Sequence, residues 1–131
     1  MQQLDLFRQK YGALHDANMY ACHYQYNQDG FWDTLQLQVD CYQITEELPH
    51  PFQRVGLMFS GVKSFILQQG LEGSGHLYLY GINYLFVDGH YHFDFSDEFE
   101  TSIAKMQQES TFYIMSETFS FEVIKTLQLP D

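Results

Sequence analysis

The chain has 131 residues, 45% of them hydrophobic and 18% aromatic, with 12 Phe, 10 Tyr and one Trp; that is the length of one domain able to bury a core without staples, and a globular composition, not a disordered one. The 17 Asp plus Glu outweigh 6 Lys plus Arg, a formal net charge of −11, and this argues against nucleic acid and anionic membrane as partners, because phosphate contacts need cations. An acidic surface serves a basic protein partner or plain solubility.

Residues 2–11 read as a short helix, with Leu4, Phe7 and Tyr11 at helical spacing and Gly12 as the stop. The opening MQQLDLFRQK has no apolar leader core, and no stretch nears ~18 consecutive apolar residues. A soluble, cytoplasmic protein is the expectation. The period then falls to two. In ANMYACHYQYN, Tyr20, Cys22, Tyr24 and Tyr26 are expected to share one face; in TLQLQVDCYQ, Leu35, Leu37, Val39 and Cys41 oppose Gln36, Gln38 and Asp40. The intervening NQDG predicts a hairpin turning near Asp29-Gly30. A two-residue turn there pairs position 22 with 37 and leaves Cys41 roughly 13 Å along the strand, beyond the ~7 Å that a disulfide spans. A longer loop centred on Phe31-Trp32 would instead set Cys22 opposite Cys41. Two free thiols in a reducing compartment are the preferred expectation.

TEELPHPFQ is a loop, since two closely spaced prolines do not fit a central strand. RVGLMFSGVKSFILQQ predicts one long or two shorter strands with Gly56 and Gly61 as bulge candidates, and HLYLYGINYLFV predicts a buried strand or two. Asp88-Gly89 marks a second hairpin leading into HYHFDF. A short second helix is expected near 97–107, capped by Ser96, with Phe99, Ile103 and Met106 at helical spacing. TFYIM and FSFEVIKTL close the chain as strands. The fold class is therefore mainly β (α+β): one domain, an antiparallel meander forming a sandwich or a partly open barrel.

His90, His92 and Asp94 alternate along one strand, opposite Tyr91, Phe93 and Phe95. Two imidazoles and a carboxylate on one strand face can hold a metal with an open position, with His15, Asp16, His23 or His76 as a fourth ligand. The plainer reading, that the aromatic face is inside and the imidazole face is wet, is preferred, and no cofactor is expected. Counting an EF-hand from Asp94 puts Phe99 where Gly is needed and Lys105 where Glu is needed, which rules it out. GLEGSG lacks the order of a dinucleotide loop, and Ser60 and Ser74 lack the nucleophile elbow. Cys22 and Cys41 have no basic neighbours to activate them. No enzyme is indicated.

A short helix, the Leu14-His15-Asp16-Ala17 junction and a β-meander carrying Gly61-Val62-Lys63-Ser64-Phe65 together resemble small bacterial immunity-type proteins of polymorphic toxin systems, over the layout of residues 4–95. The resemblance implies a cytoplasmic protein that binds and blocks a toxin domain. At the junction itself, Asp16 beside His15 reads as the turn aspartate that satisfies backbone donors. The partner-binding candidates are Tyr20, Tyr24 and Tyr26 with Asp94, Asp97, Glu98 and Glu100, because rings supply buried area and acids steer association. The competing readings are a small β-barrel metal-binding protein or enzyme built on His90, His92 and Asp94, and a homodimer formed by pairing sheet edges.

Overall fold

Leu4, Phe7 and Tyr11 lie on one stripe of the first helix and are buried, so α1 (Gln2–Tyr11) forms where the helical period places it. It stops at Gly12, whose φ of +66° suits a residue without Cβ and whose N–H returns to the Arg8 carbonyl at 2.8 Å. This computed structural model describes residues 2–12, 17–26, 33–67, 77–79, 83–95, 102–110 and 112–127. Within them the strands are β1 (Ala17–Gln25), β2 (Asp33–Tyr42), β3 (Phe52–Val62), β4 (Ser64–Leu67), β5 (Leu77–Leu79), β6 (Asn83–Val87), β7 (His90–Asp94), β8 (Phe112–Ser116) and β9 (Thr118–Leu127), with α2 (Ile103–Glu109) between β7 and β8.

The strands form two antiparallel sheets, β5-β1-β2-β3-β9 and β4-β8-β7-β6, which do not close into a barrel. The sheets share a corner. β3 and β4 are one run of chain broken at Lys63, and β8 and β9 one run broken at Glu117. Hydrogen bonds from Lys63 N to Met115 O (2.9 Å) and from Glu117 N to Ser60 O (3.0 Å) carry the ladder through the bend. Gly61 sits in the bend with φ +65°, the kind of backbone that lets a strand change sheets.

Leu35, Leu37, Val39 and Cys41 of β2 and Val55, Leu57 and Phe59 of β3 face inward, as alternation predicts. Phe59 is the joint between the layers. Its ring meets Phe93 at 5.1 Å, Phe119 at 5.5 Å and Phe95 at 6.2 Å, all at steep angles where edge meets face. α1 joins the same interior, with Phe7 against Phe119 and Phe121 and the Tyr11 hydroxyl donating to Gln53 at 2.7 Å. Burial pushes the Tyr11 phenol up to about 12.

The first hairpin pairs Cys22 with Leu37, the register of a two-residue turn, so the cysteines are not opposite and both thiols are free; the turn residues themselves lie outside the described residues. In the second hairpin Asp88 and Gly89 take φ of +54° and +79°, a primed two-residue turn that matches the strand twist.

Three expectations need correction. Gly56 is regularly paired with Gln38 and Glu122, and the irregularity lies one step away, where β9 carries an extra residue at Ile124. The segment before Asp88 is not a buried strand, because β6 leaves Phe86 and Val87 exposed toward its end. The second helix is shorter than 97–107: it opens at Ile103 under the Ser102 hydroxyl, which accepts from Lys105 N at 3.2 Å, while Ser96 and Phe99 lie outside the described residues.

Candidate functional site

Tyr91, Phe93 and Phe95 point into the core, as expected, but their neighbours do not point into water: His92 is 5% exposed and Asp94 is fully buried. The alternation argument assumed an uncovered outer face on the four-stranded sheet. That face is covered by the chain at α2, where Met106 is fully buried, Ser110 donates to Asp94 Oδ1 at 2.7 Å and Gln107 donates to the Tyr113 hydroxyl at 3.4 Å. The same Tyr113 hydroxyl shares a hydrogen bond with His92 Nδ1, 2.6 Å away. His90 turns elsewhere, its Nδ1 toward the Asp88 carbonyl at 3.1 Å and its Nε2 3.7 Å from Glu117.

His90, His92 and Asp94 thus have three different sets of neighbours and do not converge. Among the described residues no group of three or more His, Cys, Asp or Glu side chains is placed to hold a metal. Asp94 is also removed from the partner-binding surface by its burial.

Burial, with His90 beside it, lowers the His92 pKa from its usual 6.5. The unfolded chain therefore takes up this proton first, so the contribution of His92 is complete above the unfolded value and is lost as pH falls below it. The thermal midpoint is expected to drop between about pH 7 and about pH 5, and His92→Gln is expected to flatten that part of the profile. Parallel pH profiles for the two proteins would refute this account.

The three tyrosines are exposed but do not share a face. The register slips between Met19 and Ala21, leaving Tyr20 as the extra residue of a bulge. Tyr24 remains on the inner side, stacked on Phe65 at 5.8 Å and 10°, with its hydroxyl bound to Asp33; that bond pushes the phenol up to about 12. Tyr26 follows at the strand end, 68% exposed. Tyr20 instead lies on the outer face of the five-stranded sheet, flat over the Arg54 guanidinium at 3.3 Å. Arg54 is held by both oxygens of Asp40, at 2.8 and 3.1 Å, which raises its pKa and offsets its charge. Tyr20 is therefore an exposed ring fixed by a shielded ion pair.

On the same outer face the next cross-strand pair is Tyr42 with Phe52, ring centres 4.7 Å apart. Beyond it the chain carries Ile44 and Leu48, 57% and 79% exposed. That loop is held in shape: Ile44 N bonds to Lys10 O at 2.7 Å, Gln43 N to Pro51 O at 2.8 Å, and the Thr45 hydroxyl to Glu47 O at 2.8 Å. It displays Glu46 and Glu47 beside the apolar pair. TEELPHPFQ read only as a loop in the sequence; the signal in it was the two acids beside an apolar residue that nothing in the strand pattern would cover.

Toward the corner, the same face holds a half-open hollow of about 360 Å³ lined by His23, Gln36, Met58, Ser60, Thr118 and Ser120 among others. Cys41, beneath the sheet, is pushed up to about 12 by burial, and burial raises Cys22 as well, so neither is an activated nucleophile. His15, Asp16, His76, Asp97, Glu98 and Glu100 lie outside the described residues.

Fold and site together define a two-sheet antiparallel protein that, among the described residues, has one open sheet face, aromatic and acidic at one end. No family model, no curated protein and no solved structure matches the chain. Among the described residues no helix is long and apolar enough to cross a membrane.

Proposed function

We propose that this chain is a cytoplasmic protein-binding module that docks a basic partner through the aromatic, acidic end of its open sheet. The observation that carries the reading is the set of apolar side chains held rigidly in solvent: Tyr20 on its ion pair, Tyr42 on Phe52, and Ile44 and Leu48 on the tethered loop. Exposed apolar groups cost nothing further in ordering when a partner covers them, and pre-organised aromatics make efficient anchors. The net charge of −11 favours a cationic partner and speeds its approach. Two free thiols fit a reducing compartment. In the form the sequence resemblance supports, the module is a bacterial immunity protein and the partner a toxin domain.

The test pairs the chain with the product of the adjacent gene. A 1:1 complex is expected, with an association rate that falls steeply as salt rises through the range where the Debye length shrinks. Tyr20→Ala and Leu48→Asp are each expected to weaken it by about 2 kcal/mol or more, roughly thirtyfold, with folding unchanged. A complex indifferent to both salt and these substitutions would overturn the proposal.

A further inference from the structure

The five-stranded sheet ends on β9, which among the described residues has a neighbour on one side only, β3. The first half of β9 is anchored by Phe119 and Phe121 against Phe7. Its second half is different: Glu122, Val123, Ile124, Lys125 and Thr126 are exposed in succession, with Val123 at 45% and Ile124 at 40%. Two β-branched apolar residues on a preformed free edge are a template for another strand. The charges on either side say which strand fits. Lys125 stands directly opposite Arg54 in the ladder, a like-charge pair, and the carboxylate that answers Arg54 is Asp40. Neither Glu122 nor Lys125 makes an ion pair with a described residue.

We propose that β9 is a self-association edge: a second copy of this chain pairs antiparallel along residues 122–126 about a two-fold axis at Val123 and Ile124. Reversing the strand direction brings Glu122 of each copy to Lys125 of the other, twice over, on the outer face that both share. Ten strands then run in one continuous sheet. The bulge at Ile124 restricts this pairing to a short stretch, so the contact is below the ~1,000 Å² of a lasting interface and the dimer is weak and concentration-dependent.

The experiment is sedimentation of the purified chain from about 10 to about 500 µM at about 0.15 M salt, where a Debye length of ~8 Å screens the repulsion between two acidic copies. The wild-type chain is expected to move from monomer to dimer across that range. Glu122→Lys and Lys125→Glu each create two like-charge contacts and are expected to weaken association by roughly tenfold. The double substitution E122K/K125E restores both pairs with the signs exchanged and is expected to dimerise like the wild type. All three variants change exposed side chains, and circular dichroism verifies their fold. A wild-type chain that stays monomeric, single variants that dimerise unchanged, or a double variant that fails to recover each overturns the proposal.

Discussion

Gly61→Ala is expected to cost roughly 2–4 kcal/mol of folding stability, and Gly61→Val more, because two penalties fall on one position. The first is conformational: φ is +65°, a region where a side chain crowds its own backbone at about 1–2 kcal/mol. The second is steric: a Cβ there would stand 2.7 Å from the Cβ and Cγ of Glu117. Glu117 cannot simply swing away, since the Cβ is not the far end of a flexible chain and its own N–H is bound to Ser60 O at the corner. Gly89 separates the two terms. Its φ is +79° but nothing lies within 4 Å of a Cβ built there, so Gly89→Ala should lose only the conformational part, about 1 kcal/mol. Urea midpoints of the two alanine variants provide the measurement. Equal losses would show that the corner accommodates a side chain and that the close packing there is not what bends the strands.

The elements that were legible in the sequence are those in which local chemistry and the fold agree. Leu4, Phe7 and Tyr11 follow the helical period, and the burial of Leu35, Leu37, Val39 and Cys41 follows the strand period, because in each case a single buried face sets the pattern. Asp88-Gly89 declares its turn because positive φ at two successive residues admits few alternatives. The site was less legible, for three physical reasons. A bulge is one residue of slippage between strands, and nothing in MYACHY marks Tyr20 as the residue that slips, so the tyrosines appeared to share a face. His92 and Asp94 looked wet because alternation tells only which side of the sheet they occupy, not whether another element covers that side; α2 and its capping Ser110 do. Finally, the exposed ridge at Ile44 and Leu48 depends on tethers to Lys10 and Pro51, contacts between segments that sequence periodicity does not relate.

Phe59→Ala is expected to be among the most destabilising single truncations in the chain, at about 3–5 kcal/mol, because it removes a ring at which the two sheets and the last strand meet. Phe59 is 1% exposed, and its ring contacts reach β7 at Phe93, Phe95 just past β7, and β9 at Phe119. Those neighbours are themselves stacked on one another, Phe93 with Phe95 at 5.9 Å and 14°, so they form a panel that cannot fold into the gap without giving up its own contacts. A site that cannot collapse keeps its cavity and pays the cavity term in full beside the lost transfer term. Phe59→Leu retains most of the volume and should lose about half as much, at the cost of the edge-to-face geometry. Tyr26→Ala is the matching control: at 68% exposure it should stay within about 0.5 kcal/mol of the parent. Urea unfolding of the three variants gives the order Phe59→Ala, Phe59→Leu, Tyr26→Ala. A loss for Phe59→Ala no larger than about 1 kcal/mol would mean that the two sheets are not held together through this ring, and that the layered core described above is not what stabilises the chain.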